Sequence, residues 1–346
     1  MNIDTDVTMN FFSGERKSGT VSKLFTPVRI GPLTLRNRTI RSAAFEGMCP
    51  GNAPSQMLLD YHRSVAAGGI GMTTVAYASV AKSGLSFPRQ LWLRPEIIPG
   101  LREVTNAVHR EGAAAGIQIG HCGNMSHKSI CGVTPISASS GFNIYSPTWV
   151  RGMKKEEIPE MARAYGRAVN MAREAGFDAV EVHAGHGYLI SQFLSPYTNH
   201  RKDEYGGSLE NRARFARLVI EEVRRQVGPF FPIFLRISAD EFMEGGNTLE
   251  DSLEYLKYLE KEVDVIDVSC GLNGSIQYQI DANYLEDGWR SYMAKAVRDK
   301  FGKPTIAIGN IRDPKIADDI LARGDADLIG IGRGLIADPD WCNKAQ

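Results

Sequence analysis

Short apolar runs alternate with amphipathic stretches through most of the chain. The apolar runs are Thr39–Ser42, Ile70–Ala76, Ala114–Gln118, Ala179–His183, Ile233–Ile237, Val265–Val268, Thr305–Ile308 and Leu328–Gly330. Most are apolar at successive positions rather than alternate ones, the pattern of strands covered on both faces. Between them, helical spacing predicts helices over Gln56–Ala67, Ile97–His109, Glu157–Glu174, Leu209–Val227, Leu249–Val263, Ser291–Phe301 and Pro314–Ala322. Eight such strands, each leading toward a helix, predict an α/β fold: an all-parallel sheet closed into a (β/α)8 TIM barrel. Several helices run into glycine, at Ala67-Gly68-Gly69, Ala175-Gly176 and Arg323-Gly324, where a left-handed cap residue is needed. Val28–Arg38 reads as a β-hairpin around Gly31-Pro32 that caps one barrel mouth. No linker, charge run or break in composition divides the rest. Residues 23–346 are therefore expected to form one domain, and the polar residues 1–22 a flexible extension.

Bulk composition narrows the classes. At 346 residues and 43% hydrophobic, the chain is long enough for one large core. Lys plus Arg equals Asp plus Glu, 40 against 40, which gives no support for nucleic acid or an anionic membrane as partner. No apolar run reaches the length of a membrane span, and the polar start lacks the apolar core of a secretory signal. Five scattered cysteines with no C-x-x-C pair argue against a disulfide framework and against an intrachain metal or iron–sulfur site. A reducing cytoplasm is the expected compartment.

The stretch Asp178–Asn211 is the most informative one. Its strand ends in His183, and His186 and Tyr188 follow within five residues. Gln118 ends the third strand and Arg236 stands near the end of the fifth. Parallel strands of a barrel aim their C-terminal ends at one mouth, so these side chains are expected to converge. A buried guanidinium needs an acceptor partner; for Arg236 that is either a ligand or a structural ion pair with Glu181 or Asp240. The ends of strands seven and eight carry Gly309-Asn310 and Gly332-Arg333-Gly334, where barrels bind phosphate. Simple tight turning is the alternative reading of those glycines. For His183 and His186, a metal would need Glu181 as third ligand, and both histidines could instead be satisfied by backbone. The favoured reading is two donors gripping one electronegative atom of a ligand, with Tyr188 as an acid beside it. The segment Gly120–Lys154 is too long for a plain connection and is expected to arch over the C-terminal mouth.

These residues carry a resemblance. HAGHGYLISQFLSPYTNHRKDEYGGSLENRARF, supported by LRNRTIRSAAFEGM, GIQIGHCG, FLRISADEF and IGIGRGLIADPDW, resembles the Old Yellow Enzyme family of FMN-dependent ene-reductases (NADH:flavin oxidoreductases) from about Leu24 to Lys344. The match extends to the barrel domain of enzymes like 2,4-dienoyl-CoA reductase. The resemblance implies FMN at the C-terminal mouth and NADH or NADPH as hydride donor. It implies that Ala43, Ala44, Tyr77, Gln118 and Arg236 lie against the flavin ring and that Gly309, Asn310, Gly332 and Arg333 hold its phosphate. His183 and His186 would bind the oxygen of an activated alkene, an α,β-unsaturated carbonyl or nitro compound, and Tyr188 would protonate its carbon. Phe45 and Trp92 are expected beside the substrate, with choice of substrate set by Gly120–Lys154 and Phe87–Trp92.

Two departures qualify this. Phe45 stands where relatives often carry Thr or Cys, so no side-chain hydrogen bond to the flavin is expected there. The chain stops at Gln346, soon after the DPDW motif, where larger relatives continue into an iron–sulfur segment and further domains. It is therefore either a short member or the barrel module of a multidomain flavin/iron–sulfur reductase, such as a dienoyl-CoA or enoate reductase. A phosphate-binding aldolase or isomerase without flavin is the rival from another class; no lysine at a strand end supports it. A flavoprotein that only stores or senses FMN is disfavoured by the intact His183, His186 and Tyr188. A homo-oligomer is compatible with the sequence.

Overall fold

The computed structural model describes residues 22–346. Apart from Ser22, the expected N-terminal extension lies outside the described residues. The hairpin forms as expected: β1 (Val28–Ile30) pairs antiparallel with β2 (Leu33–Leu35) across Gly31-Pro32, and Gly31 takes φ +56°. Its inward residues, Ile30 and Leu35, pack against Ile40, Met72, Phe234 and Leu328 near the N-terminal ends of barrel strands. The hairpin is thus a plug in the N-terminal mouth.

The barrel strands are β3 (Thr39–Arg41), β4 (Met72–Ser79) and β5 (Ala114–Gly120). After an inserted sheet of β6 (Ile136–Ser137), β7 (Gly141–Asn143) and β8 (Thr148–Gly152) come β9 (Ala179–Ala184), β10 (Ile233–Ser238), β11 (Val265–Ser269), β12 (Thr305–Ala307) and β13 (Leu328–Ile331). They close in the order β10-β11-β12-β13-β3-β4-β5-β9, every pair parallel. Each of the eight predicted runs is one of these strands. Almost every strand residue is buried, as expected for strands covered by helices outside and packed side chains inside.

Helices Gln56–Ala67, Glu157–Glu174, Leu209–Val227 and Ser291–Phe301 have the predicted bounds. The stretch expected to be one helix from Leu249 to Val263 does not continue as one. It is α-helical to Tyr255 and then tightens into 3-10 turns at Leu256–Tyr258 and Glu260–Glu262. The buried residues there are Leu256 and Leu259, three apart, a spacing that a three-residue turn stacks on one face. β4 outruns its predicted end at Ala76 because its register with β5 shifts between Val75 and Ala78. That bulge re-aims the strand and brings Tyr77 to the C-terminal mouth.

The segment Gly120–Lys154 is more ordered than a long loop. It holds one helical turn, Lys128–Cys131, and the small sheet β6-β8-β7. It sits on the C-terminal side across a cavity of ≈ 310 Å³ from Gly187, Tyr197, Met243 and Leu272. Among the described residues, no helix is long and apolar enough to cross a membrane.

The plug gives a stability prediction. Leu35 is 1% exposed, and truncating it to alanine leaves a void under the barrel. Leu35→Ala should cost about 2–5 kcal/mol in urea unfolding, the range for a buried leucine whose site cannot fully collapse.

Candidate active site

A cavity of ≈ 570 Å³ opens at the C-terminal mouth. It is lined by Ala43, Ala44, Phe45, Tyr77, Gln118, His183, His186, Tyr188, Arg236, Gly309, Asn310, Gly332 and Arg333. Thirteen of the fourteen candidate residues from the sequence therefore meet in one place. Trp92 does not. Its backbone bridges to Ser79, and its ring lies under the Arg94 guanidinium at 4.9 Å, outside the cavity. Phe87 does reach Phe45, with ring centroids 4.7 Å apart.

The floor is built around Arg236, whose side chain is 8% exposed. Its Nη1 donates to the Ala43 carbonyl at 2.9 Å and lies 3.7 Å from Asp267 Oδ2. The ion-pair partner is thus Asp267, beside Arg236 in register on the next strand, rather than the expected Glu181 or Asp240. Arg236 Nε is buried and has no hydrogen-bond partner among the described residues. Gln118 Nε2 donates to Glu181 Oε1 at 2.7 Å, between registered residues of β5 and β9. Burial, and next the Asp267 carboxylate, push the Glu181 carboxyl up to about 8, opposed by Arg236 and Gln118.

One wall carries the histidines and tyrosines. The ring of His183 lies 5.2 Å from that of His186 and 4.8 Å from that of Tyr188, and Tyr77 stands 5.2 Å from Tyr188. His186 takes φ +60°, an uncommon conformation for a residue with a side chain. Its N–H donates to Ser238 Oγ at 2.9 Å, which holds it there, while Nε2 meets Ser269 Oγ at 2.6 Å. His183 Nδ1 is buried and has no hydrogen-bond partner among the described residues. Burial first, then the Arg236 charge, hold both imidazoles well below their ordinary range, so both are neutral at physiological pH. Burial pushes the Tyr188 phenol up, so it keeps its proton.

The opposite wall is glycine and arginine. Gly309 takes φ +118°, and a Cβ there would lie 2.5 Å from Arg290 Nε, so no larger residue fits without moving that arginine. Gly332 has nothing within 4 Å of where its Cβ would be, which leaves the backbone open to the cavity. Arg333 Nη2 donates to Asn310 Oδ1 at 2.7 Å and to the Asp281 carbonyl at 2.9 Å. Asn310 Nδ2 in turn donates to the Leu285 carbonyl at 3.0 Å.

Sequence reading missed four residues of this site. Arg290 is buried and lines the cavity, donating to the Ile308 carbonyl at 2.9 Å and to Asp281 Oδ2 at 3.0 Å. Ser42 lines it with a buried hydroxyl that has no partner. Asp267 pairs with Arg236, and Ser269 holds His186. A signal existed for the last two: Asp267 and Ser269 are the polar residues of the strand VIDVS, at the same parity. Arg290 lies before a helix and had none.

The chain matches the model of the NADH:flavin oxidoreductase / NADH oxidase family over residues 23–346. It is 39% identical over 328 residues to an NADH oxidase of Thermoanaerobacter brockii, covering 93% of this chain and 50% of that protein. It is 36% identical over 329 residues to an NADPH dehydrogenase of Bacillus subtilis (strain 168), covering 93% of this chain and 94% of the relative. The structure of morphinone reductase in complex with tetrahydroNAD superposes with a TM-score of 0.81 at 26% identity, over 93% of this chain and 91% of that one. The chain thus spans half the length of the NADH oxidase and nearly the full length of the other two. The resemblance carried by the His183–Tyr188 motif is borne out: the chain belongs to the NADH:flavin oxidoreductase / NADH oxidase family.

Proposed function

We propose that this chain is an FMN-dependent oxidoreductase that takes hydride from NADH or NADPH and passes it to the C=C bond of an activated alkene. The observation that carries this is one cavity with two unlike walls: Gly309, Asn310, Gly332 and Arg333 on one side, and His183, His186 and Tyr188 on the other, over a floor of Gln118 and Arg236. The residues present fit FMN. Arg236 Nε is a buried, unpartnered donor at the floor, as a group needing an acceptor ligand would be. The bare backbone at Gly332 and the Arg333 charge suit a phosphate. Gln118 and Arg236 would hold the polar edge of the ring, and Ala43, Ala44 and Tyr77 would pack beside it. Bound there, FMN supplies a ring that accepts and returns hydride.

The chain's own residues do the rest. Neutral His183 and His186 each carry an N–H that can donate to a carbonyl or nitro oxygen. Donors fixed in a water-poor pocket stabilise the charge that grows on that oxygen and polarise the double bond. Tyr188 keeps its phenolic proton and stands 4.8 Å, ring to ring, from His183, so it would be an acid beside an alkene held by the histidines. The Phe45–Phe87 stack forms an apolar edge at the mouth, and the insert carrying β6, β7 and β8 lines the neighbouring cavity, where a larger substrate would extend. No lysine lines the main cavity, which disfavours a Schiff-base aldolase. The half-length match to the NADH oxidase favours a second reading, in which the barrel is the flavin module of a longer chain and receives electrons from another segment. Rapid bleaching by NADH or NADPH in stopped flow decides for the first reading. All five cysteines are buried and unpaired, which suits the cytoplasm.

The purified protein should be yellow and release about one FMN per chain on denaturation; a colourless protein that FMN cannot reconstitute rejects the assignment. Tyr188→Phe should leave reduction by the nicotinamide near the wild-type rate and slow reoxidation by an enone by about 10²–10⁴-fold, the usual contribution of a general acid. An unchanged enone rate would assign the proton to another donor. Because burial and Arg236 depress both imidazoles, the ring signals of His183 and His186 should not titrate between pH about 5.5 and 8 in NMR spectra. A midpoint near 6.5 for either would place a charged imidazole in the site.

A further inference from the structure

Beneath the cavity, two buried acids lie on either side of one guanidinium. Glu181 on β9 and Asp267 on β11 flank Arg236 on β10, and they are 5% and 1% exposed. Gln118 on β5 donates to Glu181 Oε1, and Arg236 lies against Asp267 Oδ2. That leaves Asp267 Oδ1, a buried carboxylate oxygen that no N–H or hydroxyl of the described residues reaches. Asp267 sits near enough to Glu181 to raise its carboxyl, after burial the largest cause. Two carboxylates make no hydrogen bond, whereas a carboxyl and a carboxylate make a strong one. The same proton removes a second buried charge that Arg236 alone does not balance.

We propose that Glu181 and Asp267 hold a single proton between them, and that this pair positions Arg236 and Gln118 and sets how much of the Arg236 charge is felt at the cavity floor. The second half rests on the FMN reading; the shared proton does not. With the proton, Arg236 and the pair sum to zero. Without it they sum to minus one at the cavity floor, where Gln118 and Arg236 would hold the polar edge of FMN. Negative charge added to that edge on reduction would tighten the pair's hold on its proton, and loss of that proton would make reduction harder. The groups facing the pair are Gln118, Arg236 and, on the same strand as Glu181, the neutral His183.

Glu181→Gln is the test, because an amide accepts from Gln118 and donates to Asp267 without titrating. In the FMN-free protein, the infrared carboxyl band present in the wild type at pH 7 should lose one component in this variant. Glu241, pushed up to about 7 by burial, contributes to the same band and is untouched by the change. The Glu181 carboxyl is raised from 4.5 to about 8 on folding, so its stabilising share is present below pH 4.5 and lost as pH rises toward 8. The melting temperature of Glu181→Gln relative to wild type should therefore climb from pH 5 to pH 8. In the FMN-loaded protein, the midpoint potential of the wild type should fall more steeply with pH in a window above about 8, and the variant should lack that window. If Glu181→Gln does not fold, Asp267→Asn serves: with the neighbouring charge gone, Glu181 ionises and its band component disappears at pH 7. An unchanged band together with a flat melting difference overturns the shared proton. A lost component with no steep window in the wild-type potential overturns the link to the cavity floor. A lost component in a protein that takes up no FMN supports the pair and rejects the functional reading instead.

Discussion

One guanidinium crosses the barrel. In the closed ring of strands, β10 and β3 stand opposite each other, four places apart in either direction. Arg236 bridges them, from its own strand to the Ala43 carbonyl just past the end of β3. Burying a charge in a barrel interior is expensive, so the neighbouring strands are committed to compensating it: Asp267 on one side, Glu181 on the other, and Gln118 a strand further on. The cavity floor and the placing of Ala43 follow from that one residue, and its charge adds to the burial that keeps both histidines neutral. A barrel filled with Val, Ile and Leu at this level would be easier to fold and would have no site.

The protein divides its labour along the barrel axis. At the N-terminal end the hairpin residues Ile30 and Leu35 seal an apolar layer with Ile40, Met72, Phe234 and Leu328. At the C-terminal end the chain tolerates what a core would not: a histidine at positive φ, a glycine pressed against an arginine, and a bulge in β4. Each is a local cost borne where side chains must be aimed; Ser238 accepts from the His186 N–H, Ser269 meets its ring, and the Ile308 carbonyl accepts from the arginine.

The barrel was legible because doubly covered strands leave apolar runs, and all eight runs became strands. The site was legible to the degree that its residues sit at strand ends, as Gln118, His183 and Arg236 do. What escaped had physical reasons. The far end of β4 lies past a bulge, so the strand reading stops too soon there, although the resemblance named Tyr77. Arg290 reaches the cavity from the start of a helix, by a long side chain whose direction no periodicity records. Trp92 looked like pocket aromatic matter, yet Arg94 two residues on offers it a cation, and the ring stays with that. Glu181 on one adjacent strand and Asp240 just past the end of β10 were the candidate ion-pair partners of Arg236, whereas parallel pairing sets Asp267 of the other adjacent strand level with it.

The plugged end has a kinetic consequence. With Ile30 and Leu35 filling the far mouth, the described cavity lies at the C-terminal mouth, with His183, His186 and Tyr188 on one of its walls. On the proposed function, nicotinamide and alkene must use that doorway by turns, the first departing before the second arrives. The two reactants then never share a ternary complex. Each is a competitive inhibitor of the other's half of the cycle, and the turnover rate passes through a maximum as either concentration rises.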